Sequence, residues 1–181
     1  MIGVAIALLA ATALLPAVSA GTRHRLALGA HPRSGVVVDA GTVAAMLLLS
    51  GASALLGVAG GPAAGTGRVV TVCAATAAAV TGGGFVVRLV LRTGGVIGQN
   101  PTPSDGPLRG GRVIGYLERA AVAGTLLAGW PEGLAVILAV KSLARYPELR
   151  APQASEQFIM GTFASVLWAA GMSGVGYLLL H

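Results

Sequence analysis

The chain is organised as apolar runs of roughly 17 to 25 residues separated by short polar stretches, and an α-helix needs about 20 such residues to cross about 30 Å of hydrocarbon. With 55% hydrophobic and 10% charged residues, against about 25% charged in a soluble domain, the sequence cannot clothe a water-facing surface. A closed β-barrel would need segments of about ten residues with alternating polarity, and the runs here are continuous and rich in Ala, Leu, Val and Gly. The expected fold is therefore all-α: a polytopic transmembrane helical bundle of about six spans.

The first run covers residues 2–18 and ends in Ala17-Val18-Ser19-Ala20, which resembles a cleavage site for a secretory signal. No Lys or Arg precedes it, and it exceeds the usual core of about 7–15 residues, so it reads as a retained span. The second run covers 35–59 and closes at Gly60-Gly61-Pro62. The third covers 69–91, and its Thr81-Gly82-Gly83-Gly84 stretch predicts a kink or a close backbone approach. A polar, Gly/Pro-rich connection over 93–111, containing Gln99 and Asn100, divides the chain into an N-terminal membrane region, 1–92, and a C-terminal one, 112–181, each with about three spans.

The fourth span is expected over 112–129, followed by the turn Trp130-Pro131-Glu132-Gly133 with Trp130 as an anchor at the membrane edge. The fifth, 134–146, stops before Pro147, which cannot continue a helix. Ser155 reads as a cap for the last span, 157–180. Small residues recur there at Gly161, Ala164, Ser165, Ala169, Gly171, Ser173, Gly174 and Gly176, a surface suited to helix packing within one chain or in a homo- or hetero-oligomer.

Short loops rich in Lys and Arg face the cytoplasm. Arg23, Arg25 and Arg33 follow span one, Arg92, Arg109 and Arg112 lie around the central connection, and Arg145 and Arg150 follow span five; Arg68 alone stands at the opposite ends. This places the chain in a bacterial inner membrane with both termini outside. The formal net charge of +6 then reflects topology, and no nucleic-acid partner is expected.

Five charged residues fall inside the expected spans: Asp39, Arg88, Glu118, Arg119 and Lys141. Each charge held in hydrocarbon costs about 2.5–3.5 kcal/mol, so they need partners or water. All five fall toward the cytoplasmic ends of their helices, and opposite charges at one depth offset the desolvation cost. Glu118 is expected to pair with Lys141 or Arg88, and Asp39 with Arg88 or Arg119. Lys141 and Arg145, four apart, share a helix face that could hold an anion. Two readings stand side by side. In one, the arginines reach toward headgroups and the carboxylates hold the bundle together; in the other, the cluster binds an anionic lipid headgroup, phosphate or partner, or carries protons through Asp39 and Glu118.

Signatures of catalysis are sparse. The histidines are His24, His31 and His181, without the His-Glu-x-x-His spacing of a zinc hydrolase, and Cys73 is the sole cysteine, so neither a metal nor another cofactor is expected. Ser142 sits beside Lys141, but neighbours on a helix do not face each other. Gly94-Gly95-Val96-Ile97-Gly98 lacks the Gly-Lys-Ser/Thr of a phosphate loop. The sequence leans towards a structural or accessory membrane component; a small transporter or a lipid-phosphate-modifying enzyme using the same cluster is the alternative.

Three segments, Gly111-Arg112-Val113-Ile114-Gly115-Tyr116-Leu117-Glu118-Arg119, Ala139-Val140-Lys141-Ser142-Leu143-Ala144-Arg145-Tyr146 and Ser155-Glu156-Gln157-Phe158-Ile159-Met160-Gly161-Thr162, resemble a family of uncharacterised bacterial multi-pass membrane proteins over about residues 110–165. The resemblance implies that Glu118, Arg119, Lys141, Ser142, Arg145, Glu156 and Thr162 form one constellation where helices four, five and six meet. It names no reaction. Residues 1–91 lack the His and Asp-Phe motif that some members carry there.

Overall fold

A computed structural model describes residues 1–26, 32–95, 111–146 and 152–181. They form six helices: α1 (Ile2–Leu26), α2 (Pro32–Gly60), α3 (Thr66–Thr93), α4 (Gly111–Leu127), α5 (Gly133–Arg145) and α6 (Pro152–Leu180). The expected all-α bundle is the observed one. Four of its helices, α1, α2, α3 and α6, are long and apolar enough to cross a membrane. The 17 residues of α4 and the 13 of α5 make rods of about 26 and 20 Å.

Alanine is prominent in the core, beside Leu9, Met46, Trp168 and Leu179, and many other large apolar side chains face outward. Ala75, Ala78, Ala79, Ala123 and Ala169 are buried, while Leu14, Leu48, Leu55, Phe163 and Leu167 are more than 60% exposed. Water-driven folding buries the large apolar side chains; close-packed helices in lipid need small ones between them. The most extensive interface joins α3 to α6, and the glycines of the Thr81–Gly84 stretch explain it. The helix runs through them without interruption, and a side chain at Gly82 would collide with the Trp168 ring of α6. Close approach, rather than a break, is their role.

Polar side chains join the long helices. Ser53 Oγ of α2 donates to the Ala5 carbonyl of α1 at 2.7 Å, and Thr42 Oγ1 lies 3.0 Å from Ser19 Oγ. Thr81 Oγ1 of α3 lies 2.9 Å from the Ala13 carbonyl of α1. Such bonds contribute about 0.6–2 kcal/mol each in lipid.

The bundle has two distinguishable ends. At one, the Ala63 N–H donates to the Leu179 carbonyl at 2.8 Å and Gly60 packs against Met1 and Ile2, so both chain ends meet the α2–α3 turn. At the other, Arg92 lies beside Gly35, and Gly94 beside Met160. The α4–α5 turn follows from one glycine: Gly129 has φ +74°, and Trp130 and Gly129 donate backward to the carbonyls of Thr125 and Leu126. This is a glycine-terminated helix end that satisfies carbonyls otherwise left open.

Several boundaries differ from expectation. Helix α6 begins at Pro152, so Ser155 lies inside it and does not cap it; proline suits a first helical turn because its missing N–H has no partner there anyway. Helix α3 reaches Thr93, and α1 continues past Ala20 to Leu26. The expected polar connection over 93–111 lies outside the described residues except at its two ends.

Candidate functional site

Four of the five charged residues singled out within the helices, Asp39, Arg88, Glu118 and Lys141, form two ion-paired groups at the end of the bundle where α3 finishes and α4 and α6 begin. Asp39 of α2 is fully buried. Its Oδ2 lies 3.3 Å from Arg92 Nη1 and its Oδ1 3.7 Å from Arg88 Nη2. The two arginines are four apart on α3 and so share the face that meets α2. Arg88 also lies over the Phe85 ring at 4.4 Å, a contact that favours a cation against the negative face of the π-system. Of the two partners expected for Asp39, Arg88 is found and Arg119 is not. Arg92, assigned from sequence to the basic boundary, is a member of the buried pair; its four-residue spacing from Arg88 was the available signal.

The second group joins α4 to α5. Lys141 Nζ lies 2.5 Å from Glu118 Oε2, with each side chain about one-fifth exposed, and Phe158 of α6 stands 5.8 Å from the ammonium. Of the two partners expected for Glu118, Lys141 is the one observed. The pair and its aromatic neighbour draw one residue from each of the three sequence segments singled out above.

Arg119 belongs to neither pair. It is 5% exposed, and its guanidinium points between α3 and α6, donating from Nε to the Val80 carbonyl at 3.0 Å and from Nη1 to Ser165 Oγ at 3.3 Å. Its stem lies across Gly83, where any side chain would displace it, and its charge sits 5.4 Å over Tyr116. No carboxylate among the described residues comes within ion-pair distance of it. Adjacent helix positions point about 100° apart, so Glu118 meets α5 while Arg119 meets α3 and α6.

Of the remaining members of the expected constellation, Ser142 and Glu156 are exposed, and Arg145 and Thr162 are half-buried. Space inside the group is slight: the cavity bounded by Glu118, Arg119, Ile137, Lys141 and Ser165 measures about 10 Å³, the size of a single water site. Among the described residues no group of three or more His, Cys, Asp or Glu side chains is placed to hold a metal. No protein-family description, curated protein or solved structure matches the chain.

Proposed function

We propose that this chain is a multi-pass protein of a bacterial inner membrane that serves as a structural or accessory component. In this reading all six helices are membrane-embedded, with α4 and α5 shorter than the bilayer core and accommodated by tilt or local thinning. Both termini are outside and the charged end faces the cytoplasm. The carrying observation is that, among the described residues, each buried or half-buried carboxylate is matched to cations of a neighbouring helix, Asp39 to Arg88 and Arg92, and Glu118 to Lys141. Charges spent on one another across helix interfaces fix helix register and offset the cost of leaving water.

Among the described residues, cations outnumber carboxylates there. Asp39 faces two arginines, Arg119 adds a third cation, and Arg112 and Arg145 lie at helix ends of the same side. A positive rim at the cytoplasmic leaflet attracts anionic phospholipid headgroups, by about 1 kcal/mol per Lys or Arg near the surface. The kinship with uncharacterised bacterial multi-pass proteins is part of this reading. It is supported by the meeting of Glu118, Lys141 and Phe158.

Native mass spectrometry of the detergent-solubilised chain tests the lipid contact. Wild type is expected to retain anionic phospholipid, and Arg112→Gln with Arg145→Gln to lose most of it. A wild-type chain bare of anionic lipid contradicts the headgroup contact. A retained non-lipid solute would favour the alternative, a small transporter or lipid-phosphate enzyme whose ion pairs open for a substrate.

A further inference from the structure

At the end of the bundle opposite the ion pairs, the glycine turn at Gly129 stops α4 while α3 and α6 run on beside it. The slot left above the end of α4 is an open groove of about 510 Å³, within the range of about 300–1,000 Å³ that holds a small organic ligand. Its walls are apolar, formed by Val72 of α3, Leu126 and Leu127 of α4, and Leu180 of α6. Its floor is closed where Gly176 packs against Ala75 and Leu127.

The polar groups of the groove stand at its mouth. Arg68 lies in the first turn of α3, is exposed, and has no carboxylate within ion-pair distance among the described residues. His181 stacks on Tyr177 at 4.1 Å between ring centres and completes the rim. Among the described residues no acidic side chain lines the groove. An apolar slot with a cation at its entrance is complementary to an amphiphile with a hydrocarbon tail and an anionic head.

We infer that this groove is a binding site for a phospholipid with an anionic headgroup, its acyl chain between α3, α4 and α6 and its phosphate at Arg68. The site is separate from the positive rim proposed above, although it shares the premise that the chain lies in a bilayer. A guanidinium binds phosphate through two parallel N–H donors, which a lysine cannot reproduce. The geometry thus assigns headgroup recognition to Arg68 and tail capture to the apolar walls.

Cys73 is the sole cysteine, is exposed and lines the groove, so the native thiol reports on occupancy. In dodecylmaltoside micelles, the rate of maleimide reaction at Cys73 is compared with equal mole fractions of dioleoylphosphatidylglycerol or dioleoylphosphatidylcholine. The anionic lipid is expected to slow the reaction several-fold more than the zwitterionic one, and Arg68→Gln to abolish that difference while leaving the thermal unfolding transition unchanged. Equal protection by the two lipids, no protection by either, or undiminished selectivity in Arg68→Gln would overturn the inference. Alkaline carbonate extraction of native membranes separates its failure from that of the premise. Release of the chain overturns both, whereas retention together with headgroup-independent labelling overturns the groove alone.

Discussion

The indole N–H of Trp168 donates to the main-chain carbonyl of Ala78 across the α3–α6 seam, 3.0 Å away, and its ring fills the space that a side chain at Gly82 would need. A Cβ at Gly82 would lie 2.5 Å from the ring, far inside van der Waals contact. Gly82→Val is therefore expected to lower stability by roughly 1–3 kcal/mol, the cost of overpacking a closed interface. Thermal unfolding in detergent, read by tryptophan fluorescence, measures it. Gly171→Val, at a position open on all sides, should change the transition little; equal losses from both would refute the seam account.

Asp39 offers a second test. Arg88 and Arg92 are both partly exposed, with side chains 37% and 27% accessible. Removing either as Met should cost no more than about 1 kcal/mol. Removing both strands a buried carboxylate and should cost roughly 3–5 kcal/mol, most of it recovered by adding Asp39→Asn. Denaturant unfolding of the four proteins gives the comparison, and a triple variant no more stable than the double would show that the carboxylate was not the source of the loss.

At the α4–α5 turn, Gly129 holds φ +74°, a conformation that costs an L residue about 1–2 kcal/mol. Gly129→Ala is expected to lose about that much stability and to loosen the Trp130 turn, seen as a shift in tryptophan emission. An unchanged emission and melting temperature would mean that the turn tolerates a side chain.

Topology is checked by fusions. With both termini outside, alkaline phosphatase fused after residue 181 should be active, and green fluorescent protein fused after residue 105 should fluoresce. The opposite pattern would invert the proposed orientation and place the ion pairs at the outer leaflet.

Much of the architecture is legible in the chain because long uninterrupted apolar runs permit few solutions. Continuous apolar runs must become helices, and α2 through α5 begin and end within about three residues of where composition and turn residues place them. The start of α6 escapes because Pro152 opens a helix as readily as it ends one. At the ion pairs, depth is legible and direction is not. Glu118, Arg119 and Lys141 are expected at one level, but only the packed register shows that Arg119 turns away from its neighbour toward the Val80 carbonyl and Ser165. A backbone carbonyl carries no mark in a sequence. Arg92 is misassigned for the opposite reason: near a helix end, the same residue serves equally well as boundary charge and as ion-pair partner.

The central claim is that the charged residues hold helices together, and the Glu118–Lys141 pair tests it most directly. Their charged atoms are 2.5 Å apart between α4 and α5. A double-mutant cycle with Glu118→Gln and Lys141→Met, followed by unfolding in detergent, is expected to show each single variant destabilised by roughly 1–3 kcal/mol, below a fully buried pair because both side chains are partly exposed. The double variant should recover part of that loss, leaving a coupling energy of at least about 0.5 kcal/mol. Single variants as stable as wild type, with no coupling, would contradict the structural reading and return these two residues to the pool of groups available for transport or catalysis.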